Sequence, residues 1–259
     1  MEIARITGRP KSSVYFHIRN IPLSPRKYQK IHALNIQHLL RVARSRKGKS
    51  IREFKKIYRW NPENVSLVAH LLFDGEIKRS GCVYNNRNKI LLKKVEVSMK
   101  KMYRFSPTRY YNPNTGVSRI SYFNVALGNY MEQKAKELWQ CLGELPLETK
   151  RSFLRAFFDD EGCIDFRPKT NSRRIRGYQK DIAILEHVSQ ALRNFGITSR
   201  IQKPNEVVIT GRNNLIMFQK EIGFTAGVYI NGNRSNSIWK KHLEKREILA
   251  RAIHSYIKV

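Results

Sequence analysis

Two stretches constrain this chain more than any others: "SLVAHLLFDGEI" at Ser66–Ile77 and "SFLRAFFDDEGCID" at Ser152–Asp165. In each, small and apolar residues at helical spacing run into acid and then glycine: Asp74 before Gly75, and Asp159, Asp160 and Glu161 before Gly162. Leu67 aligns with Leu154, Ala69 with Ala156, Leu71 with Phe158, Asp74 with Glu161 and Gly75 with Gly162. A carboxylate at a helix C-terminus faces the unfavourable end of the dipole. Its recurrence at the same point of two copies, in a chain with 50 Lys and Arg against 20 Asp and Glu, calls for a chemical reason.

The flanking sequence repeats with the helices. Asn61 and Pro62 open the first as N-cap and first helical residue, and Pro146 precedes the second similarly. Each acidic end leads into strand-like sequence, then a polar turn and an apolar-periodic helix ("YNNRNKILLKKV", "YQKDIAILEHV"). Alternating β-branched runs ("VSRIS", "VVIT") follow, with closing helices in "YFNVALGNYM" and "NNLIMFQKEIG". The expected fold is α+β, an internal duplication with one half over 61–146 and the other over 147–259.

A formal charge of +30 over 259 residues is a long-range field for polyanions, which makes nucleic acid the expected partner. No unbroken apolar run reaches spanning length and no secretory pattern opens the chain, so a membrane role is not expected. Cys82, Cys141 and Cys163 lack metal or disulfide spacing and fit a reducing compartment, the cytoplasm or an organelle. Residues 1–25 read as a partial helix-turn-helix. Ile3, Ala4, Val14 and Ile18 face inward, Gly8 turns the chain, Ser12 or Ser13 caps the second helix, and Tyr15, His17 and Arg19 face out; a helical hairpin without a DNA role fits equally. Residues 26–60 read as a basic helical linker, whose part "RVARSRKGKSIREFKKIYR" carries nine Lys and Arg against Glu53 and suits either solvent or a phosphate backbone.

Small residues at the same point of both acid-tipped helices would let the backbones approach closely and bring the acids together. Two converging carboxylates repel, and a divalent cation resolves that repulsion; Mg²⁺ commonly takes one or two protein carboxylates and fills its other positions with water and phosphate. A plain helix stop accounts for Gly75 and Gly162 but leaves the paired acids unexplained. His70, with no second His or Cys at ligand spacing, reads as a partly buried, hydrogen-bonded histidine.

These residues resemble a single-chain LAGLIDADG homing endonuclease, with motifs "LVAHLLFDG" (Leu67–Gly75) and "LRAFFDDEG" (Leu154–Gly162). The first motif departs from the family pattern at His70 and Leu72, while "NFGITS" and "EIGFT" in the second half are also similar to it. The resemblance implies two pseudo-symmetric αββαββα halves forming a saddle over the DNA major groove, joined at a helix seam through Ala69 and Ala156. It implies a monomeric, Mg²⁺- or Mn²⁺-dependent endonuclease of double-stranded DNA. Asp74 and Glu161 would hold the cations, with Gly75 and Gly162 alongside, and Lys180 would assist the reaction. Asn86 matches Lys180 in the first half, so the two centres would be unequal. Asp159 would serve as a helix-end or supporting acid and Asp160 as a solvent- or DNA-facing one. DNA contacts are expected from Asn85, Asn86, Arg87 and Arg119 in the first half. In the second they are expected from Arg173, Arg174, Arg176, Gln179, Arg200 and Gln202. A non-cleaving regulator or an RNA-splicing maturase on the same fold is the alternative.

Overall fold

The computed structural model describes residues 2–22, 24–46, 52–230 and 243–256, with the side chains of residues 2 and 43–46 left aside. The chain divides into two units, Met1–Ile51 and Arg52–Val259.

The first unit holds α1 (Glu2–Thr7), α2 (Lys11–Ile18) and α3 (Pro25–Arg46). Gly8, at φ +63°, makes the turn between α1 and α2 in a conformation that costs glycine little. Pro10, rather than a serine, is the N-cap of α2, and Ser12 and Ser13 lie inside its first turn. Val14 is buried as expected, but Ile3 and Ile18 are exposed, so the inward face is narrower than the apolar pattern implied. On α3, Ile31, Leu34, Leu39 and Leu40 are exposed as well.

The stretch read as linker does not stay one element. Its end, from Arg52 to Trp60, belongs to the second unit and packs within it: Lys55 N–H donates to the Met102 carbonyl at 2.8 Å, Ile57 is buried, and Phe54 meets the Tyr130 ring at 5.1 Å. Phe54, Ile57 and Trp60 supply apolar surface that outweighs the solvation of the basic residues between them.

The second unit is the duplication. Its first half runs α4 (Pro62–Phe73), β1 (Gly75–Lys78), β2 (Gly81–Asn86), α5 (Lys89–Tyr103), β3 (Thr108–Asn112), β4 (Val117–Phe123) and α6 (Val125–Cys141). The second runs α7 (Leu147–Glu161), β5 (Gly162–Arg167), β6 (Ser172–Tyr178), α8 (Ile182–Arg193), β7 (Arg200–Gln202), β8 (Glu206–Thr210) and α9 (Arg212–Glu221). The sheets have the same antiparallel topology, β1-β2-β4-β3 and β5-β6-β8-β7. These are the two pseudo-symmetric halves expected from the sequence. A further helix, α10 (Lys245–His254), follows them and packs on α9 and β5 without a counterpart in the first half.

The halves meet along α4 and α7. Ala69 and Ala156 are both fully buried there. Phe73 of α4 packs edge-on against Phe153 and Phe157 of α7, with ring centroids 5.7 and 5.0 Å apart. Each such aromatic pair contributes about 0.5–1.5 kcal/mol beyond its buried area.

The motif glycines serve a different end from a left-handed helix stop. Gly162 is extended, at φ −90° and ψ 149°. A Cβ on Gly162 would lie 2.4 Å from the Phe158 carbonyl oxygen, and one on Gly75 2.5 Å from that of Leu71. Glycine is required because the chain turns directly from the last carbonyls of each helix into a strand.

Candidate active site

The C-terminal ends of α4 and α7 open into a cavity of about 770 Å³ lined by Asp74, Asp159, Asp160, Glu161 and Lys245, and by residues of both sheets. Asp74 is the C-cap of α4 and Glu161 the last residue of α7, so the two aligned acids, one from each half, share one space. Burial, followed by the charges of Asp160 and Glu161, pushes Asp74 up to about 8. Burial and the charge of Asp160 push Glu161 up to about 7. Asp74 thus stands near the like charges of Asp160 and Glu161.

The residues around these acids divide by role. Asn86 donates from Nδ2 to Asp74 Oδ2 at 2.7 Å. Asp159, buried, accepts from the backbone N–H of Thr225 at 2.8 Å and from the Thr225 hydroxyl, which ties α7 to the loop after α9. Lys94 of α5 lies 3.9 Å from the same carboxylate. Asp160 borders the cavity, but its side chain is not solvent- or DNA-facing as expected: it is wholly buried and bonds His70 Nδ1 at 2.8 Å and the Tyr84 hydroxyl at 2.7 Å. His70 is likewise buried, and its Nε2 has no partner among the described residues. The cause is the seam itself, which covers the α7 face carrying Asp160 with α4 and β2.

Lys245 is a functional candidate that sequence reading missed. Only 7% exposed, it donates to the carbonyls of Phe158 and Asp159 at 3.1 and 2.6 Å. An ammonium thus caps the C-terminal carbonyls of α7, where the helix dipole and three consecutive acids concentrate negative potential. Burial lowers its pKa, while Asp159, Asp160 and Asp74 act in the opposite direction. A lysine inside "LEKREI" carries no local signal of this place. It arrives there because Lys245 N–H bonds the Val228 carbonyl at 2.8 Å beside the Tyr229–Glu244 bridge.

Lys180 lies elsewhere. It is exposed, one residue beyond Gln179 after β6, and does not line the cavity. Strand register explains the difference: Gly75 pairs with Tyr84 and Gly162 with Gly177, so Asn86 corresponds to Gln179, and Lys180 to Arg87.

Register also sorts the other polar strand residues. Asn85 pairs with Arg119, Arg174 with Asp165, Arg176 with Val208, Arg200 with Val208 and Gln202 with Glu206, and these share the open faces of the two sheets. There, Asp165 bonds both Arg167 and Arg174 at 2.7 Å, and Glu206 bonds Arg176, which holds the guanidinium groups in set orientations. Asn86 and Arg173 point the other way by the period of two. Asn86 meets Asp74, and Arg173 bonds the Ser255 hydroxyl at 2.6 Å and lies over the Tyr256 ring. Arg87 donates to the Thr115 carbonyl at 2.7 Å, and Gln179 accepts from Lys180 N–H at 2.8 Å.

Residues 148–223 match the family model of the LAGLIDADG-like domain. The element order of this matched region is repeated in the first half of the second unit. No curated protein matches the sequence. Among solved structures, the chain is similar to a variant of I-DmoI in complex with its target DNA in the presence of Mg, at 18% identity and TM-score 0.48, over 62% of this chain and 95% of that one. It is similar to full-length WhiA from Thermatoga maritima at 13% identity and TM-score 0.49, over 77% of this chain and 63% of that one. The N-terminal LAGLIDADG domain of WhiA matches at 15% identity and TM-score 0.47, over 64% and 86%.

Among the described residues no trio of His, Cys, Asp and Glu forms a metal-binding group, and no helix is long and apolar enough to cross a membrane. The donor set of the cavity is two carboxylates, Asp74 and Glu161, a hard-oxygen set that fits Mg²⁺ or Mn²⁺ completed by water and phosphate. Asp74 and Glu161 are the residues that would hold the ion.

Proposed function

We propose that the chain is a sequence-specific endonuclease of double-stranded DNA that uses Mg²⁺ or Mn²⁺ and hydrolyses one phosphodiester in each strand. The observation that carries this reading is the meeting of Asp74 and Glu161, one from each half, in a cavity bordered by two sheets with arginines on their open faces. The excess of 50 Lys and Arg over 20 acids supports a polyanionic substrate, and this cavity is where that excess gives way to carboxylates. On the open faces, Arg119, Arg174, Arg176 and Arg200 present planar donors suited to guanine edges and phosphates, with Asn85 and Gln202 suited to adenine.

A divalent cation bound by Asp74 and Glu161 supplies an activated water and charge stabilisation for the phosphate. The chain's own residues set the conditions. Asn86 orients Asp74, Lys245 offsets the negative potential at the end of α7, and Asp159 anchors that helix end through Thr225.

A non-cleaving DNA-binding protein on the same fold is the second reading. It is favoured by the exposure of Lys180 outside the cavity and by the engagement of Lys245 with helix carbonyls. Incubation with a randomised duplex library, with and without Mg²⁺, followed by sequencing of cut ends decides between them. Cleavage at a defined site, abolished in Asp74→Asn and Glu161→Gln while binding in Ca²⁺ survives, is the expected result. Tight binding without cleavage would establish the second reading.

A further inference from the structure

We propose that Asp160 is a positioning residue for Asp74, acting across the seam through Tyr84 and Asn86, and that this device serves the first-half acid alone. That the resulting inequality shows as unequal cutting of two DNA strands rests on the endonuclease reading above; the positioning itself does not.

The donor and acceptor inventory fixes which way the Asn86 amide faces. Asn86 Oδ1 accepts from the backbone N–H of Asn88 at 2.8 Å, so its Nδ2 must face the carboxylates. Tyr84 has one hydroxyl proton and spends it on Asp160 Oδ1 at 2.7 Å, which turns its oxygen lone pair toward Asn86 Nδ2 at 3.1 Å. The second proton of that amide goes to Asp74 Oδ2 at 2.7 Å, and Asn86 Nδ2 also lies 3.5 Å from Asp160 Oδ1, so Asp160 reaches the amide directly as well as through Tyr84. Asp160 is held from its other side by His70 Nδ1 at 2.8 Å, and the His70 and Asp160 side chains are 1% and 0% exposed. A carboxylate of the second half thereby fixes a tyrosine and an asparagine of the first, and these fix the first-half acid. The Tyr84 hydroxyl and the Asp160 side chain are fully buried, so a broken link between them is not easily replaced by solvent.

The second half has the same order of helices and strands, and its described residues form none of this network. Phe73 stands where Asp160 does and packs on Phe153 and Phe157. Phe157 stands where His70 does, and Gly177 where Tyr84 does. A Cβ at Gly177 would lie 2.4 Å from Phe157 Cε1, so the phenylalanine ring occupies the space that a side chain at Gly177 would need. Gln179, in the place of Asn86, turns its carbonyl to Lys180 N–H. Among the described residues no side chain donates to Glu161. Among the described residues, one motif acid is oriented by a side-chain donor and the other is not.

Tyr84→Phe tests this, because it removes one hydroxyl and changes neither charge nor ring packing. Mn²⁺ binding is titrated calorimetrically in Tyr84→Phe, alone and combined with Asp74→Asn or with Glu161→Gln. Loss of a partner that orients a ligand typically weakens metal affinity about ten- to a hundredfold. That loss is expected in the Glu161→Gln background and is expected to vanish in the Asp74→Asn background, the non-additivity of residues acting through one another. On a plasmid carrying the site recovered from the duplex library, Tyr84→Phe is expected to slow one strand by a similar factor and accumulate nicked circles. Asp160→Asn should reproduce both effects. Equal losses in both backgrounds, unchanged Mn²⁺ affinity in Tyr84→Phe, or equal slowing of the two strands would overturn the proposal. Wild-type protein that cuts no DNA, with the Mn²⁺ coupling intact, would instead remove the endonuclease reading and leave the positioning standing.

Discussion

The crowded acids make the folded chain's stability depend on pH in an unusual direction. Asp74 rises from 3.8 to about 8 and Glu161 from 4.5 to about 7 on folding. A carboxyl group whose folded pKa lies above its unfolded value holds its proton more tightly in the folded chain. Between the two values the native state binds more protons than the unfolded one, so stability falls as pH rises through that window. Each such group contributes a slope of about 1.4 kcal/mol per pH unit. From pH 5.5 to 8 without divalent cation, this amounts to roughly 2 kcal/mol lost through Glu161 and 3 through Asp74. For a unit of this size, that corresponds to a fall in Tm of roughly 10–20 °C. A divalent cation binds the deprotonated pair, so it should restore stability at pH 8, by about 2.7 kcal/mol at a hundredfold excess over its Kd, and do little at pH 5.5. Thermal unfolding at the two pH values, with and without Ca²⁺, measures this, and the Asp74→Asn/Glu161→Gln double variant should flatten the dependence. A Tm that holds steady from pH 5.5 to 8 in the wild type, or that falls equally in the double variant, would refute the argument.

Lys245→Met removes a buried ammonium from the Asp159 carbonyl and from the acids around it. About 3–5 kcal/mol of stability should be lost, read as a lower urea midpoint. Arg174→Ala should weaken DNA binding and reduce the salt slope by about 0.9, whereas Arg173→Ala should leave DNA affinity unchanged and lower Tm through loss of its contacts with Ser255 and Tyr256. Equal effects on DNA binding would contradict the assignment of faces from strand register. Gly177→Ala forces Phe157 away from the seam and should cost about 1–3 kcal/mol by chemical denaturation; a neutral result would mean that the ring moves freely there.

Local pattern sufficed for much of this protein. The aligned Leu, Ala, acid and Gly positions of "LVAHLLFDG" and "LRAFFDDEG", with the strand and helix periodicities after each, determined a duplicated α+β fold and named Asp74 and Glu161 as the pair that meets. Helical spacing and the size of Ala69 and Ala156 act over a few residues, and any chain carrying them twice has the same apolar faces to bury. Other features depend on which face a strand turns and on what arrives from far along the chain. Register separated Arg173 from Arg174 and paired Asn86 with Gln179 rather than Lys180. The seam buried Asp160 against His70 and Tyr84, and the bridge after Val228 carried Lys245 under the end of α7. A buried carboxylate or ammonium is tolerated only where distant donors and acceptors close around it, and no local run of sequence specifies that closure.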